Sequence, residues 1–572
     1  IGNGSTKAFY QSAKAAVTVD LATGVAQGTD AGDIAGVGTD TLSGIDRIVG
    51  SGFDDTLLGS DNYYREDFQG NAGNDYIDGR GGGDRASYLM DDDGIIANLS
   101  SSAVTIGGET VAAGTVRDGF GDIDTLMNIE SFRSSLHDDV LIGSDGDNSF
   151  RIEGGSNTVD GGFGTDRINY KTRQAGGVTV DLDAGTATNA LGGADTLTSI
   201  ENVRGSRFDD VITGDSRDNY LDAGDGDDVV NGGAGADRVN GGDGNDRLDG
   251  GAGADQFIGS QGNDTYRFGL GDDVIDYSDL REAITLIRGG SVDKGLNGID
   301  TFQDFYEKII ATRASDDWID GITGGGEIAS LVANLSTEKL TVSNLPGVGS
   351  FSSQIEGFEN VRGTNNADRI SGDAKANQLI GNGGDDKIIG GGGNDSLNGG
   401  AGNDRLEGGS GNDGAVYAGR YENYSIQTGN DSRGLRTLTV TDLTGKEGVD
   451  VLIGVEKLYF SDQTIDVVNS IEGTSVSGNV SVLESDGGSI IYSGDGADNG
   501  AEVIITDLLL DGSREVEFRN LQIKFSGNIS IEDNASLKMT ESVFDIEMDY
   551  RNQYDLTVKD HGTLQVDNLV VP

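Results

Sequence analysis

From Gly205 to Asp276 a large apolar side chain returns at every ninth position, as Val230, Val239, Leu248, Phe257, Tyr266 and Ile275. A single apolar residue in the middle of three, bounded on both sides by glycine-rich segments, predicts a three-residue strand with one side chain turned inward. The intervening residues repeat in the same register: Ala223-GDGDDVVN, Gly232-GAGADRVN, Gly241-GDGNDRLD, Gly250-GAGADQFI and Gly259-SQGNDTYR. These fit G-G-x-G-x-D-x-U-x, with U the inward residue, and a fixed period of this kind marks a solenoid in which neighbouring repeats bury one another.

A second unbroken run spans 363–416 and contains Gly390-GGGNDSLN, Gly399-GAGNDRLE and Gly408-GSGNDGAV. Two worn runs pass through Gly70-NAGNDYID with Gly79-RGGGDRAS, and from Ser134 through Gly161-GFGTDRIN. Glycine at positions one, two and four predicts a turn that uses positive φ, and position six places a carboxylate on that turn. Two nonamers make a coil of 18 residues, with strands stacked at about 4.8 Å. The sixth-position aspartate of one repeat then lies beneath that of the repeat two further on, where bare carboxylates repel.

Composition turns that repulsion into a requirement for cations. Asp and Glu number 97 against 40 Lys and Arg, a net charge of -57, which excludes nucleic acid and anionic membrane as principal partners. Ca²⁺ takes six to eight oxygens at loose geometry and suits carboxylates beside turn carbonyls, whereas Zn²⁺ prefers His or Cys and the chain has 2 His and no Cys. The candidate ligands are Asp228, Asp237, Asp246, Asp255 and Asp264, then Asp386, Asp395, Asp404 and Asp413, with Asp75, Asp84 and Asp166 in the worn runs. Asn at sixth positions 148, 157, 219 and 377 weakens or removes sites there. Metal-free Asx turns are the competing reading of Gly-Asn-Asp, but Asp fills seven of the eight sixth positions from 210 to 273. No EF-hand string is present.

A longer cycle overlies the nonamers. Tyr10, Tyr88, Tyr170, Tyr277 and Tyr417 mark module starts, followed by a strand such as Val17-TVDL, Ile95-IANL, Val178-TVDL or Leu331-VANL. A D-T-L step and a lead-in such as Leu197-TSIENVRG or Ile355-EGFENVRG then enter the next array, and these strands are expected to continue the solenoid. The organisation this predicts is modules at 1–87, 88–169, 170–276 (strong array 205–276) and 277–416 (strong array 363–416), a closing β segment at 417–470, and a C-terminal domain at 471–572. The largest insertion falls at 280–350, where Trp318 reads as a core residue.

With these residues assembled, the chain resembles the RTX, or haemolysin-type calcium-binding-repeat, proteins of Gram-negative bacteria, over residues 1–470. Val449-DVLIGVEKLYFSDQTIDV resembles the segment that closes such arrays. The resemblance implies one-step export through a type I channel and folding outside the cell, where calcium suffices to fill the sites. The sequence begins at Ile1 rather than Met, which suggests processing or a longer polypeptide.

Beyond residue 471 the nonamers stop, and Ile529-SIEDNASLKM recurs as Leu556-TVKDHGTLQV at an offset of 27 (529 to 556), pairing Ile531 with Val558, Asp533 with Asp560, Leu537 with Leu564 and Met539 with Val566. A worn copy lies near Val516-EFRNLQI. This predicts a parallel β-helix, with an antiparallel sandwich as the alternative and an uncapped strand edge at the end of the chain. The fold class is therefore all-β, an elongated solenoid of parallel β-rolls with a C-terminal β-helix-like domain.

No H-E-x-x-H string occurs, His137 and His561 are far apart and read as surface or turn residues, and no nucleophile elbow has a strand-turn-helix context. The function expected is a secreted, extracellular, non-enzymatic calcium-binding protein of a bacterial surface layer, filament or adhesive matrix. Its expected partners are copies of itself or cell-surface polysaccharide or lipopolysaccharide, with no membrane insertion. A calcium-dependent polysaccharide lyase or epimerase, or the accessory region of one, is the alternative, because no catalytic carboxylate pair can be picked out among 97 acidic residues.

Overall fold

In a computed structural model the residues described are 6–467, except 30–33, 63, 173–175, 288–289, 305, 315, 322–329 and 346–348, together with twelve strands between 474 and 567. Every described element longer than three residues is a strand; the two short 3-10 turns are Gly295–Asn297 and Tyr421–Asn423.

Each sixth-position aspartate is followed by a strand, and successive nonamers alternate between two sheets. Val230 lies beside Leu248 in one parallel sheet, and Val239 beside Phe257 in the other. One coil therefore takes two repeats, as the 18-residue spacing requires. All six of the expected inward residues are buried, none more than 1% exposed.

Two units divide the chain, residues 1–280 with 294–308 and residues 281–293 with 309–572. In the first, one sheet, called here the front sheet, is parallel from Lys7–Phe9 to Val274–Asp276. Its inward column includes Phe68, Phe132, Phe150, Val203, Val239 and Phe257, all buried. Burying each such side chain contributes roughly 2–3 kcal/mol. An aromatic cluster of Phe257, Tyr266, Phe268, Phe302 and Tyr306 packs edge-to-face and stacked, with centroids 5.2 to 6.2 Å apart.

The opposite, back sheet departs from the expectation of simple continuation. The V-x-V-D-L strand at each module start does join the solenoid in parallel, as Thr179–Asp181 joins Val211–Thr213. Its other edge, however, pairs antiparallel with Thr186–Thr188, which pairs antiparallel with Ala194–Thr198, and this third strand rejoins the preceding array in parallel at Thr158–Asp160. The same meander runs Ile96–Asn98, Thr115–Arg117, Ile123–Met127. The joints after Tyr10, Tyr88 and Tyr170 are thus three-stranded antiparallel steps, formed because the chain turns tightly at a left-handed glycine such as Gly185 (φ 67°) rather than crossing to the front sheet.

In the second unit the strong array repeats this pattern, with Ile370, Ile388 and Leu406 in one inward column and Val361, Leu379 and Leu397 in the other. The segment 330–356 folds into an antiparallel sheet of Ser330–Asn334, Lys339–Leu345 and Gly349–Glu356. Trp318 is not a core residue. It occupies the outward seventh position after Asp317 and is half-buried, with the Arg362 guanidinium 5.4 Å above its ring, while Ile319 fills the inward position.

Thr474–Ser477 and Val480–Ser485 lead in antiparallel, and the other ten C-terminal strands form three parallel stacks, as a β-helix and not a sandwich does. Ser489–Gly494, Glu515–Arg519, Ser536–Thr540 and Thr563–Asp567 make one; Glu502–Ile505, Gln522–Phe525 and Val543–Ile546 the second; Leu508–Leu510, Ile529–Ile531 and Leu556–Val558 the third. Ile531 meets Val558, Leu537 meets Leu564 and Met539 meets Val566, the register read from the 27-residue repeat. The worn copy is real but one short coil away, because Val516 meets Leu537 at an offset of 21 (516 to 537). Asp533, Asp560 and His561 lie outside the described residues.

Candidate metal centres

The turn between strands carries the chemistry, and the glycines serve it in two ways. Positions two and four have left-handed φ, as at Gly242 (97°) and Gly244 (149°), where the backbone lies so close to the turn below that a Cβ would meet a carbonyl oxygen at 1.7 and 1.8 Å. Position one was expected to need positive φ as well, and does not. It is glycine because the sixth-position carboxylate folds back over it: a Cβ on Gly241 would lie 2.1 Å from Asp246 Oδ2, and one on Gly399 2.1 Å from Asp404 Oδ2.

The sixth-position carboxylates form ladders along the stack. The Asp228 N–H donates to Asp246 Oδ1 at 2.9 Å, and the Asp246 N–H to Asp264 Oδ1 at 3.0 Å. A parallel column runs Asp237 to Asp255 to Asp273, at 2.9 Å each. In the second unit Asp386 donates to Asp404 at 2.8 Å and Asp395 to Asp413 at 2.9 Å. One carboxylate oxygen is thereby used. The other, Oδ2, is buried without a hydrogen-bond partner in Asp75, Asp84, Asp166, Asp228, Asp237, Asp246, Asp255, Asp386, Asp395, Asp404 and Asp413. A buried, unpartnered anionic oxygen is costly, and eleven of them spread over these ladders point to a cation at each.

Burial raises these carboxyls, and neighbouring carboxylates add to it for several. Asp246 and Asp386 are pushed up to about 8, Asp228 and Asp237 to about 7, and Asp395 and Asp404 to about 6. In the worn runs Asp75 reaches about 9, Asp84 about 7 and Asp166 about 6. Asp255 and Asp413 are also raised by burial. Without a cation the fold opposes ionisation at these positions.

The twelfth candidate shows what fits there. Lys294, fully buried, donates from Nζ to Asp264 Oδ2 at 3.1 Å, to Asp300 Oδ1 at 2.5 Å and to the Ser260 carbonyl at 2.7 Å. A cation thus sits between Oδ2 of one rung, Oδ1 of the next and the carbonyl at position two. The same oxygens recur at each orphaned rung, so the donor set is all oxygen, two carboxylates plus turn carbonyls, as Ca²⁺ prefers. Among the described residues no point gathers three carboxylate, imidazole or thiol side chains, so backbone carbonyls must supply the balance of each site.

The ladders have defined ends that reading the nonamers alone did not reveal. At their start, a Ser or Thr replaces the second glycine and donates to the sixth-position carboxylate: Ser51 to Asp55 (2.8 Å), Ser135 to Asp139 (2.7 Å), Ser206 to Asp210 (2.7 Å) and Thr364 to Asp368 (3.1 Å). A module strand N–H caps the same carboxylate, as Val178 does Asp210 at 2.7 Å. At their finish one column ends on the aspartate of the D-T-L step or its counterpart, held by the module tyrosine. Tyr88 donates to Asp124 (3.1 Å), Tyr170 to Asp195 (3.0 Å) and Tyr277 to Asp300 (2.7 Å), and Tyr10 makes the same kind of bond to Asp40 (3.1 Å), to which no rung is bonded among the described residues. The other column ends on a lead-in glutamate: Glu130, Glu201, Glu307 and Glu456 accept from Asp84, Asp166, Asp273 and Asp413 at 2.7 to 2.9 Å. The signal was in the sequence, as the repeated Tyr, D-T-L and I-E-N of the longer cycle.

Asn at position six supplies its own donor. Asn219 Nδ2 donates to the Glu201 carbonyl (2.9 Å), Asn377 to that of Glu359 (2.8 Å), Asn148 to that of Glu130 (3.2 Å) and Asn157 to that of Gly154 (3.0 Å). An amide in this place leaves no orphaned charge. His137 is exposed on a turn.

The family model of the RTX calcium-binding nonapeptide repeat matches residues 40–62, 62–94, 135–168, 204–239, 240–275, 362–397 and 380–415. All twelve candidate aspartates fall inside these segments. No curated protein matches the chain.

Proposed function

We propose, from the premise that this chain carries RTX calcium-binding nonapeptide repeats and so binds several calcium ions, that it is an extracellular structural protein which calcium locks into a rigid solenoid after export. The observation that carries the proposal is the ladders of orphaned sixth-position Asp Oδ2 atoms. The eleven aspartates bearing them are the ligands assigned to Ca²⁺, each site drawing Oδ2 from one rung and Oδ1 from the next. Where a rung is the last of its column, Asp124 or Asp450, or a lead-in glutamate, completes the pair. In a chain of net charge -57, ions that bind only the folded state act as a folding switch.

A surface-layer, filament or adhesive role is favoured by how the chain is spent, on repetition that both units share. Among the described residues no helix is long and apolar enough to cross a membrane. A polyanionic surface partner is favoured by the outer side of the front sheet in the first unit, where Arg47, Arg133, Arg151, Arg167, Arg204 and Arg238 stand on stacked strands. Asp222 and Glu153 offset only part of that charge. Electron microscopy of native material tests the reading: regular assemblies that dissolve in chelator are expected. Monodisperse protein that depolymerises acidic polysaccharide would overturn it.

A further inference from the structure

Three ladders of the first unit end in closing turns with the same spacing, in which the residue six positions before the terminal aspartate faces the last rung. Before Asp124 it is Asp118, before Asp195 it is Asn189, and before Asp300 it is Lys294. Their surroundings differ in charge to match. Asp118 brings a further negative charge to bear on Asp75 and Asp124, raising both, and its own Oδ2 is buried without a partner. Asn189 faces a turn where Asn157 has already replaced one carboxylate; its Nδ2 donates to the Gly155 carbonyl at 2.7 Å and lies 3.3 Å from Asp195 Oδ1. Lys294 faces two carboxylates, Asp264 and Asp300, and bonds both.

We propose that this closing-turn position selects the charge that ends each ladder, and that Lys294 is a built-in ammonium occupying what is otherwise a calcium site. The inference rests on the calcium reading of the other rungs. Its own support is local: Nζ bonds one oxygen from each of two successive rungs and the position-two carbonyl, with no exposure to water. Asp264 is also the one candidate ligand whose Oδ2 is not orphaned, accepting from Lys294 Nζ at 3.1 Å and, at longer range, from Ser260 Oγ at 3.2 Å and Tyr266 OH at 3.4 Å. The lysine backbone is fixed for the task. Its N–H donates to the Gly298 carbonyl at 2.8 Å, and Asn297, in the short 3-10 turn that follows, accepts from Gly262 N–H at 2.7 Å. The turn is therefore bonded to the Asp264 turn beneath it without metal. It follows that the end of this ladder is held by the protein's own charge when calcium is absent, and gives the metal-dependent rungs beneath it a formed edge on which to assemble.

The test compares the full-length wild type with Lys294→Asp, which copies the turn of Asp118, and Lys294→Asn, which copies that of Asn189. Bound calcium is counted by native mass spectrometry, and amide exchange of residues 264–267 is followed in chelator. Lys294→Asp is expected to bind one more calcium ion than the wild type and to lose amide protection at 264–267 in chelator by at least tenfold, with recovery in calcium. Lys294→Asn should lose that protection too, because an amide cannot neutralise two carboxylates. Unchanged protection in both variants, or an unchanged ion count in Lys294→Asp that has regained its protection in calcium, overturns the inference. A wild type that binds no calcium sinks the calcium reading instead, and leaves the chelator comparison to judge Lys294.

Discussion

Replacing Asp246 by asparagine separates the two roles of a ladder carboxylate. Asp246 gives Oδ1 to the rung of Asp228 and Oδ2 to the rung of Asp264, so its loss removes a ligand from two calcium sites. In calcium the variant should bind two ions fewer and melt lower. In chelator the sign reverses. The folded carboxyl is held at about 8 against an ordinary 3.8, so ionising it in the fold costs up to ~6 kcal/mol at 1.36 kcal/mol per pH unit. An asparagine side chain carries no charge, and Asn157 shows that it keeps the ladder, its Oδ1 accepting from the Asp139 N–H at 3.0 Å. Water entering the open turn offsets part of the cost, so Asp246→Asn should stabilise the metal-free chain by ~2–4 kcal/mol at pH 8.5. Below pH 4 the wild-type carboxyl is protonated in both states and the advantage should vanish. Circular dichroism in chelator from pH 4 to pH 9 measures this as a higher unfolding pH in the variant, with urea unfolding at pH 4 as the control and native mass spectrometry for the ion count. A variant that unfolds at the wild-type pH in chelator, or one retaining every ion, would refute the reasoning.

Other consequences are checked as directly. Because ladder carboxyls are raised in the fold, metal-free stability is fully present below about pH 4 and is lost as pH climbs through the values of about 6 to 8; circular dichroism in chelator across pH 4–9 should show unfolding on raising the pH, and calcium should abolish it. Gly241→Ala should cost ~1–3 kcal/mol in calcium and weaken binding at the Asp246 rung, since the added Cβ takes the place of Oδ2; wild-type affinity by calorimetry would contradict the close-approach argument. Tyr170→Phe leaves Asp195 without one of its donors and should lower stability by ~1–3 kcal/mol with calcium stoichiometry unchanged, read by thermal melting and ion counting. Arg151→Glu with Arg167→Glu should weaken retention on an anionic polysaccharide column and shift elution to lower salt, whereas elution unchanged from wild type would argue against the arginine face as the binding surface.

The nonamer was legible because its period, its inward residue and its carboxylate are each set by one position, so Val239, Phe257 and Asp246 could be placed from spacing alone. The module joints were less so. The strand at Val178 has the same alternation whether its neighbour runs parallel or antiparallel, and only the turn at Gly185 decides. Trp318 misled because a large aromatic beside Ile319 looks inward until the ninefold register is counted from Asp317. Lys294 was invisible for a different reason: it lies 30 residues from Asp264 in the chain, and a lone lysine in a glycine-rich turn has no periodic signature. The terminal Tyr–Asp and glutamate contacts were visible as repeated words, but their meaning as ladder ends needed the stacking to bring Tyr277 to Asp300.

The central claim is that folding and calcium occupancy are one event. Native mass spectrometry of the full chain at pH 7.5, paired with circular dichroism of the same samples, tests it most directly. At least eleven calcium ions, one for each orphaned sixth-position Oδ2, should bind over the same range in which β structure appears, and chelator should reverse both. A chain that holds its β structure unchanged in chelator at that pH, or binds no calcium while folded, would contradict it.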